Sequence, residues 1–193
     1  MPIVPRVALF GGTFDPVHNA HLEVAHAALS RFGLEKILFV PAARPPHKPA
    51  GGEASFDDRV RMLELACAGV PQFEVSRIEE GSRQSYSILT IEKLLAAGIK
   101  PLAFLIGADA FAEIRTWHRW KEVVASVEFI VVTRRGSTWH APDGAIVHEL
   151  TGIDAPISSS AVRATLASGD ADIPVPPAVL DYIYARGLYR SQQ

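Results

Sequence analysis

The sequence predicts an α/β fold: a doubly wound parallel sheet with helices on both faces. Three observations predict it. Short runs that are apolar throughout, such as residues 102–106, alternate with longer segments whose apolar residues recur at helical spacing. The runs lack the in–out alternation of a sheet with one wet face, so both faces are buried, as parallel strands require. Their carboxyl ends carry Gly11-Gly12, Pro41 and Gly107, and sheets of this kind bind ligands in the crevice beyond those ends.

Each element follows in order. Val7-Ala8-Leu9-Phe10 is a buried strand that stops at the tight Gly11-Gly12 turn. Over residues 19–32, Leu22, Ala25, Leu29 and Phe32 recur at helical spacing and Gly33 ends the pattern. Ile37-Leu38-Phe39-Val40 is a second strand, followed over 41–54 by a loop rich in Pro and Gly, the candidate mobile lid. Residues 56–68 read as a helix, 73–75 as a short strand and 87–97 as another helix. The most apolar strand spans 102–106, and 113–125 is partly helical. A strand at 128–133 and a short one at 146–149 follow. Helices at 160–168 and 177–186 form a small C-terminal helical part of this Rossmann-like layout. No repeat, low-complexity segment or linker divides the chain, so a single domain over 1–193 is expected.

Composition narrows the function. The 193 residues are 48% hydrophobic, enough for a substantial core. Nineteen basic against 21 acidic residues, net −2, provide neither the basic excess of a nucleic-acid binder nor a polybasic run for a membrane surface. A small anion needs only a local positive site. Cys67 is the single cysteine, so no intramolecular disulfide forms, and no apolar run reaches membrane-spanning length. Met1-Pro2-Ile3-Val4-Pro5-Arg6 lacks a signal-peptide layout. A cytoplasmic location is expected.

The first chemical motif is Gly11-Gly12-Thr13-Phe14-Asp15-Pro16-Val17-His18-Asn19-Ala20-His21. Two glycines allow close backbone approach to a ligand. The helix that follows offers free N–H groups and the positive end of its dipole to an anion. His18 and His21, three apart, share a helix face and can donate to phosphate oxygens. The motif is neither Gly-x-Gly-x-x-Gly nor a P-loop, and it lacks the His-Glu-x-x-His pattern and third ligand of a zinc site. A plain strand-to-helix turn with two surface histidines is the competing reading. The second motif is Ile157-Ser158-Ser159-Ser160-Ala161-Val162-Arg163. Its serines are first of all helix N-caps. With an arginine one turn on, they also form a cradle of donors and positive charge suited to a polyphosphate. Cys67, among Leu63, Leu65 and Ala66, reads as packed. His26, His140 and His148 read as solvent-facing, and Asp57, Asp58, Arg59 and Arg61 as a charged helix start.

These motifs, with Pro45-Pro46-His47-Lys48, Ser85-Tyr86-Ser87, Gly107-Ala108-Asp109 followed by Trp117, and the stretch from Val175-Pro176 to Gly187-Leu188-Tyr189, run almost end to end. Together they resemble the bacterial nicotinate-nucleotide adenylyltransferases, within the superfamily marked by a (Thr/His)-x-Gly-His signature. Two departures stand out: Ala20 replaces the signature glycine, and Leu89 stands where the family usually has Asp.

The resemblance implies transfer of an adenylyl group from ATP to nicotinate mononucleotide, with pyrophosphate released and nicotinate adenine dinucleotide formed for NAD synthesis. The attacking 5′-phosphate is already anionic, so positioning and charge stabilisation replace a general base. By resemblance, His18, His21 and Arg163 are the catalytic set, with both histidines on the α-phosphate. Gly11, Gly12, Thr13, Phe14, Lys48, Gly107, Asp109, Ile157, Ser159 and Ser160 bind ATP. Of these, Ser159 and Ser160 join Arg163 on the β,γ-phosphates, and Lys48 closes over them. Asp15, His47, Ser85, Tyr86, Ser87, Trp117 and His118 serve the pyridine nucleotide, with Trp117 stacking on the ring and backbone N–H groups near Tyr86 and His118 holding the carboxylate. Mg2+ rides on the ATP phosphates with no metal site of the protein's own. ATP and nicotinate mononucleotide are the only partners implied; nucleic acid and membrane are not. Relatives that prefer the amide or adenylylate phosphopantetheine, a nucleotide sensor without turnover, and an amino-acid-activating synthetase fragment remain the alternatives.

Overall fold

The computed structural model describes residues 6–45, 53–100, 102–133, 138–153, 157–169 and 172–190. Among them, six strands form one all-parallel sheet: β1 (Val7–Gly12), β2 (Lys36–Pro41), β3 (Phe73–Val75), β4 (Leu102–Gly107), β5 (Glu128–Val132) and β6 (Val147–Leu150). Their order across the sheet is β3-β2-β1-β4-β5-β6. The chain builds outward from β1 to β3, then returns to lay β4 against the other side of β1. The strand order therefore reverses between β1 and β4, and the crevice of such a sheet opens at the carboxyl ends of those two strands.

Apolar runs become central strands because alternate side chains enter different cores. Ala8, Phe10, Ile37, Phe39, Ala103, Leu105 and Ile130 face one side. There they meet α1 (Asn19–Phe32), α2 (Phe56–Cys67) and the two helices of the C-terminal part. Leu9, Leu38, Val40, Phe104, Ile106, Phe129 and Val131 face the other. They pack against α3 (Ser87–Ala96), α4 (Ala108–Ala112) and α5 (Trp120–Ser126). The C-terminal helices are α6 (Ser159–Ser168) and α7 (Pro177–Arg186), the latter opening with Pro at its first position. Among the described residues, no helix is long and apolar enough to cross a membrane.

The stretch at 113–125 is partly helical, as expected, but as two short pieces preceded by a helix the sequence did not announce. α4 begins at Ala108, directly after β4, a 3-10 turn covers Ile114–Thr116, and α5 starts at Trp120. Trp117 is extended and Arg119 is left-handed at φ 53, which breaks the helix between them. β6 also lies one residue further on than expected, with Val147 beside Phe129.

Three charge assignments change. His148 is half-buried, not solvent-facing, because its Nε2 lies 2.7 Å from Glu128 Oε2 across β5 and β6. His26 and His140 are exposed, as expected. Asp58 and Arg59 are not a solvated helix start: they are 7% and 1% exposed. Asp58 ties α2 to α7 by accepting from Tyr182 Oη at 2.8 Å and Arg186 Nε at 3.2 Å. Burial alone would raise the Asp58 carboxyl pKa, but hydrogen bonds from Ser55, Tyr182 and Arg186 outweigh it and hold the group below the ordinary range.

Cys67 closes α2 in the core at 6% exposure, and burial pushes its thiol up to about 12. The nucleophilic thiolate is therefore scarce and shielded. A disulfide reagent at about pH 8 should label Cys67 at least ~100-fold more slowly in the folded protein than in denaturant; matching rates would show that this part of the core opens readily.

Candidate active site

The site is assembled where β1 gives way to α1. Gly12 is required there sterically: a Cβ on it would lie 3.0 Å from Cζ of Phe14 and 3.1 Å from Cε2. The Phe14 ring folds back over that glycine, with its own backbone in the left-handed region at φ 50. Phe14 is buried, and its ring centroid lies 5.0 Å from that of His21. Phe14 thus forms the wall behind His21.

The turn from Thr13 to Pro16 is held by its carbonyls. Arg59 Nη1 donates to Thr13 O at 2.7 Å, Arg163 Nη1 to Asp15 O at 2.8 Å, and Ser159 Oγ to Pro16 O at 3.0 Å. The Asp15–Pro16 peptide is cis. The Asp15 carboxylate, 1% exposed, accepts from the backbone N–H groups of Glu53 and Ala54 at 2.7 and 3.1 Å. It also accepts from Tyr189 Oη at 2.7 Å. Asp15 and Phe14 therefore stand behind the site and shape it through the backbone.

His18 is the extended N-cap of α1 and His21 lies one turn into it. Their rings stack with centroids 3.7 Å apart at 26°. The His18 backbone N–H donates to Nδ1 of His21 at 3.2 Å. A neutral imidazole that accepts at Nδ1 carries its proton on Nε2, so His21 presents an N–H donor. Burial first, and the neighbouring His18 second, hold its pKa well below the ordinary histidine value of 6.5.

Both histidines line a cavity of about 330 Å3 with Gly107, Asp109, Ile157 and Ser159. α1 and α6 both begin there, so two helix N-termini face it. Ser158 performs the expected capping by accepting from Ala161 N–H at 3.2 Å. Ser160 is exposed, 3.5 Å from Arg163 Nη2, and Arg163 Nε also meets Glu53 Oε1 at 2.7 Å. Gly11 and Gly12 end β1 and Thr13 follows in the turn; none of the three is among the residues that line this cavity.

A second cavity of about 270 Å3 is lined by Ser85, Tyr86, Ser87, Trp117 and His118, five residues chosen from sequence, together with Glu113. Tyr86 and His118 pack with ring centroids 4.4 Å apart, and Trp117 rests against Phe104 at 5.8 Å. Ser85 is fixed by Arg44, whose N–H donates to Ser85 Oγ at 2.8 Å while its carbonyl accepts from Ser85 N–H at 2.9 Å. α4 supplies Asp109 to the first cavity and Ala110 to the second, so the two lie on either side of one short helix. His47 and Lys48 fall outside the described residues.

The sequence reading missed Arg59, Glu53, Glu79 and the clamp made by Tyr189. Buried Glu79 accepts from Ala43 N–H at 3.2 Å and from Thr90 Oγ1, joining the start of the 41–54 loop to α3. Leu89, where the family usually has Asp, points outward at 39% exposure.

The pH dependence of stability follows from His21. Its folded pKa lies below 6.5, so as pH falls through 6.5 the unfolded chain takes up a proton that the folded chain refuses. Stability is full above that value and declines below it, by at most about 1.4 kcal/mol per pH unit from this group. His21→Gln should therefore show a shallower loss of denaturant stability between pH 6.5 and 5 than the wild type; parallel losses would contradict the assignment.

Comparison with known proteins agrees with this architecture. The cytidylyltransferase-like family model matches residues 9–165. A probable nicotinate-nucleotide adenylyltransferase of Solibacter usitatus is 54% identical over 95% of this chain and 99% of its own length. A Gloeobacter violaceus protein of the same name is 40% identical over 95% of this chain and 96% of its own. The Plasmodium falciparum nicotinic acid mononucleotide adenylyltransferase, solved in complex with NaAD, superposes with a TM-score of 0.79 at 20% identity, over 95% of this chain and 96% of that one. The chain thus belongs to the cytidylyltransferase-like family and, within it, to the nicotinate-nucleotide adenylyltransferases.

Proposed function

We propose that this protein transfers the adenylyl group of ATP to nicotinate mononucleotide, releasing pyrophosphate and forming nicotinate adenine dinucleotide in NAD synthesis. The observation that carries the proposal is the pair of cavities on either side of α4. One has two helix N-termini and a stacked histidine pair, suited to phosphates, and the other is walled by aromatic rings, suited to a pyridine. The names of the relatives at 54% and 40% identity support the same reading.

In this mechanism an oxygen of the substrate 5′-phosphate attacks the α-phosphorus in line. The bond from that phosphorus to the bridging oxygen breaks, and its electrons leave with pyrophosphate. The nucleophile is anionic, so no proton must be removed. His18 and His21 stabilise charge at the α-phosphate, and the neutral, Nε2-protonated His21 keeps its donor at neutral pH. The Ser159 hydroxyl is engaged by Pro16, so Ser159 serves phosphate through its N–H, and Ser160 through its hydroxyl. Arg163 exchanges Glu53 for the β,γ-phosphates, with Lys48 assigned to ATP and His47 to the pyridine nucleotide. Gly107 and Asp109 border the adenosine. Trp117 stacks on the pyridine, and N–H groups near Tyr86 and His118 favour the acid over the amide. Among the described residues no cluster of three His, Cys, Asp or Glu side chains forms a metal cage. Mg2+ arriving with ATP would be held by phosphate oxygens, beside the Ser160 and Arg163 side chains, and would supply charge neutralisation there.

Pyrophosphate release with ATP and Mg2+ tests the proposal, with nicotinate and nicotinamide mononucleotides offered in parallel. The acid should be preferred at least ~10-fold; equal rates would remove the carboxylate pocket, and silence with both would remove the reaction. His18→Ala should lower kcat about 100-fold or more while changing the KM for the pyridine nucleotide little. Trp117→Ala should do the opposite, raising that KM about 10-fold with a smaller effect on kcat.

A further inference from the structure

Arg59 is the largest of the fully buried side chains, 1% exposed. It sits in the first turn of α2, whose start is fixed by Ser55: Asp58 N–H donates to Ser55 Oγ at 3.1 Å and Arg59 N–H to Ser55 O at 3.0 Å. Its guanidinium lies over the Phe56 ring at 5.6 Å, and its Nη1 reaches Thr13 O at 2.7 Å. Among the described residues its buried Nε has no hydrogen-bond partner. Burying a guanidinium is costly, and an apolar side chain of similar volume would fill the same space without that cost. Its charge offsets the buried carboxylates of Asp15 and Glu79, which accounts for a cation here but not for its place against the turn.

The Thr13 carbonyl explains it better. In a trans peptide the C=O and the following N–H point in opposite directions. A Thr13 carbonyl drawn inward to Arg59 turns the Phe14 N–H to the other face of the turn. Phe14 is left-handed at φ 50, a conformation that a residue with a side chain holds only when its surroundings fix it. Arg163 and Ser159 hold the Asp15 and Pro16 carbonyls in the same turn. The Thr13–Phe14 peptide precedes both of these and depends on Arg59.

We infer that Arg59 is a positioning residue for the phosphate end of the site, fixing the Thr13–Phe14 peptide so that the Phe14 N–H is a preset donor to a substrate phosphate. The inference rests on the adenylyl-transfer reading. It adds a residue that touches no substrate, acting through the backbone from the far side of the turn. Its positive charge, kept close to the turn by burial, also raises the potential there.

Arg59→Met and Arg59→Lys test it, measured by steady-state kinetics and by calorimetric binding of a non-hydrolysable ATP analogue. Folding is checked by cooperative unfolding. Met fills the space without charge or donor; Lys keeps the charge and one donor. In folded Arg59→Met, kcat should fall about 10- to 100-fold and the analogue bind about 10-fold more weakly, as expected for one lost donor to a charged group. The KM for nicotinate mononucleotide should stay within about threefold, and Arg59→Lys should recover part of both losses. A merely structural role would lower stability and leave this split and the rescue absent. Wild-type kcat and analogue affinity in folded Arg59→Met would overturn the inference, as would failure of both variants to fold. A wild-type protein silent with nicotinate mononucleotide would sink the adenylyl-transfer reading instead, and analogue binding would then decide the inference on its own.

Discussion

Three donors from two distant parts of the chain converge on the buried carboxylate of Asp15: the N–H groups of Glu53 and Ala54, and the hydroxyl of Tyr189. A carboxylate at 1% exposure is tolerable only with such partners. What they secure is more than the charge. The glycine turn after β1, the far end of the 41–54 loop and the segment after α7 are brought to one point. Arg163 joins them by holding the Asp15 carbonyl with one nitrogen and Glu53 with another. This convergence, together with Arg59 on the Thr13 carbonyl, holds the turn in which Phe14 is left-handed and its ring backs His21.

The fold places that clamp at the reversal of strand order. β1 and β4 end side by side, and α4 leaves β4 at once, dividing the crevice into a half with the histidine pair and a half walled by aromatic rings. One short helix thus separates two cavities of different chemistry with few residues. The histidine pair then needs no separate base to orient it, because the His18 backbone N–H sets which nitrogen of His21 carries the proton.

Much of this was legible in the residues themselves. Uniformly apolar runs identified the strands and the two-sided burial, because both cores draw on alternate residues of the same strands. The residues at 85–87 and 117–118, which the family resemblance assigns together to the pyridine nucleotide, meet in one cavity. Buried charge was not legible. Arg59 stands among Asp57, Asp58 and Arg61 at a helix start, where charge is ordinarily solvated, and its partner Thr13 is 46 positions away. His148 looked like a surface residue because Glu128 becomes its neighbour only when β6 pairs with β5. Spacing along a sequence reports which side chains share a helix face; it carries nothing about charges that meet through tertiary contact. The break at Trp117 and Arg119 was hidden for a related reason, since a left-handed arginine has no signature of its own.

The contact between Asp15 and Tyr189 spans 174 positions. Synthesis runs from the N-terminus, so a nascent chain carries the glycine turn and both histidines long before their clamp exists. β1, β2 and β3 can pair early, because each neighbours the strand before it, but the turn between β1 and α1 must wait for Tyr189 to arrive. Contacts of such separation are the slow ones in folding. The clamp on this turn thus needs nearly the whole chain to have been made, so the turn's final geometry cannot precede the C-terminal segment.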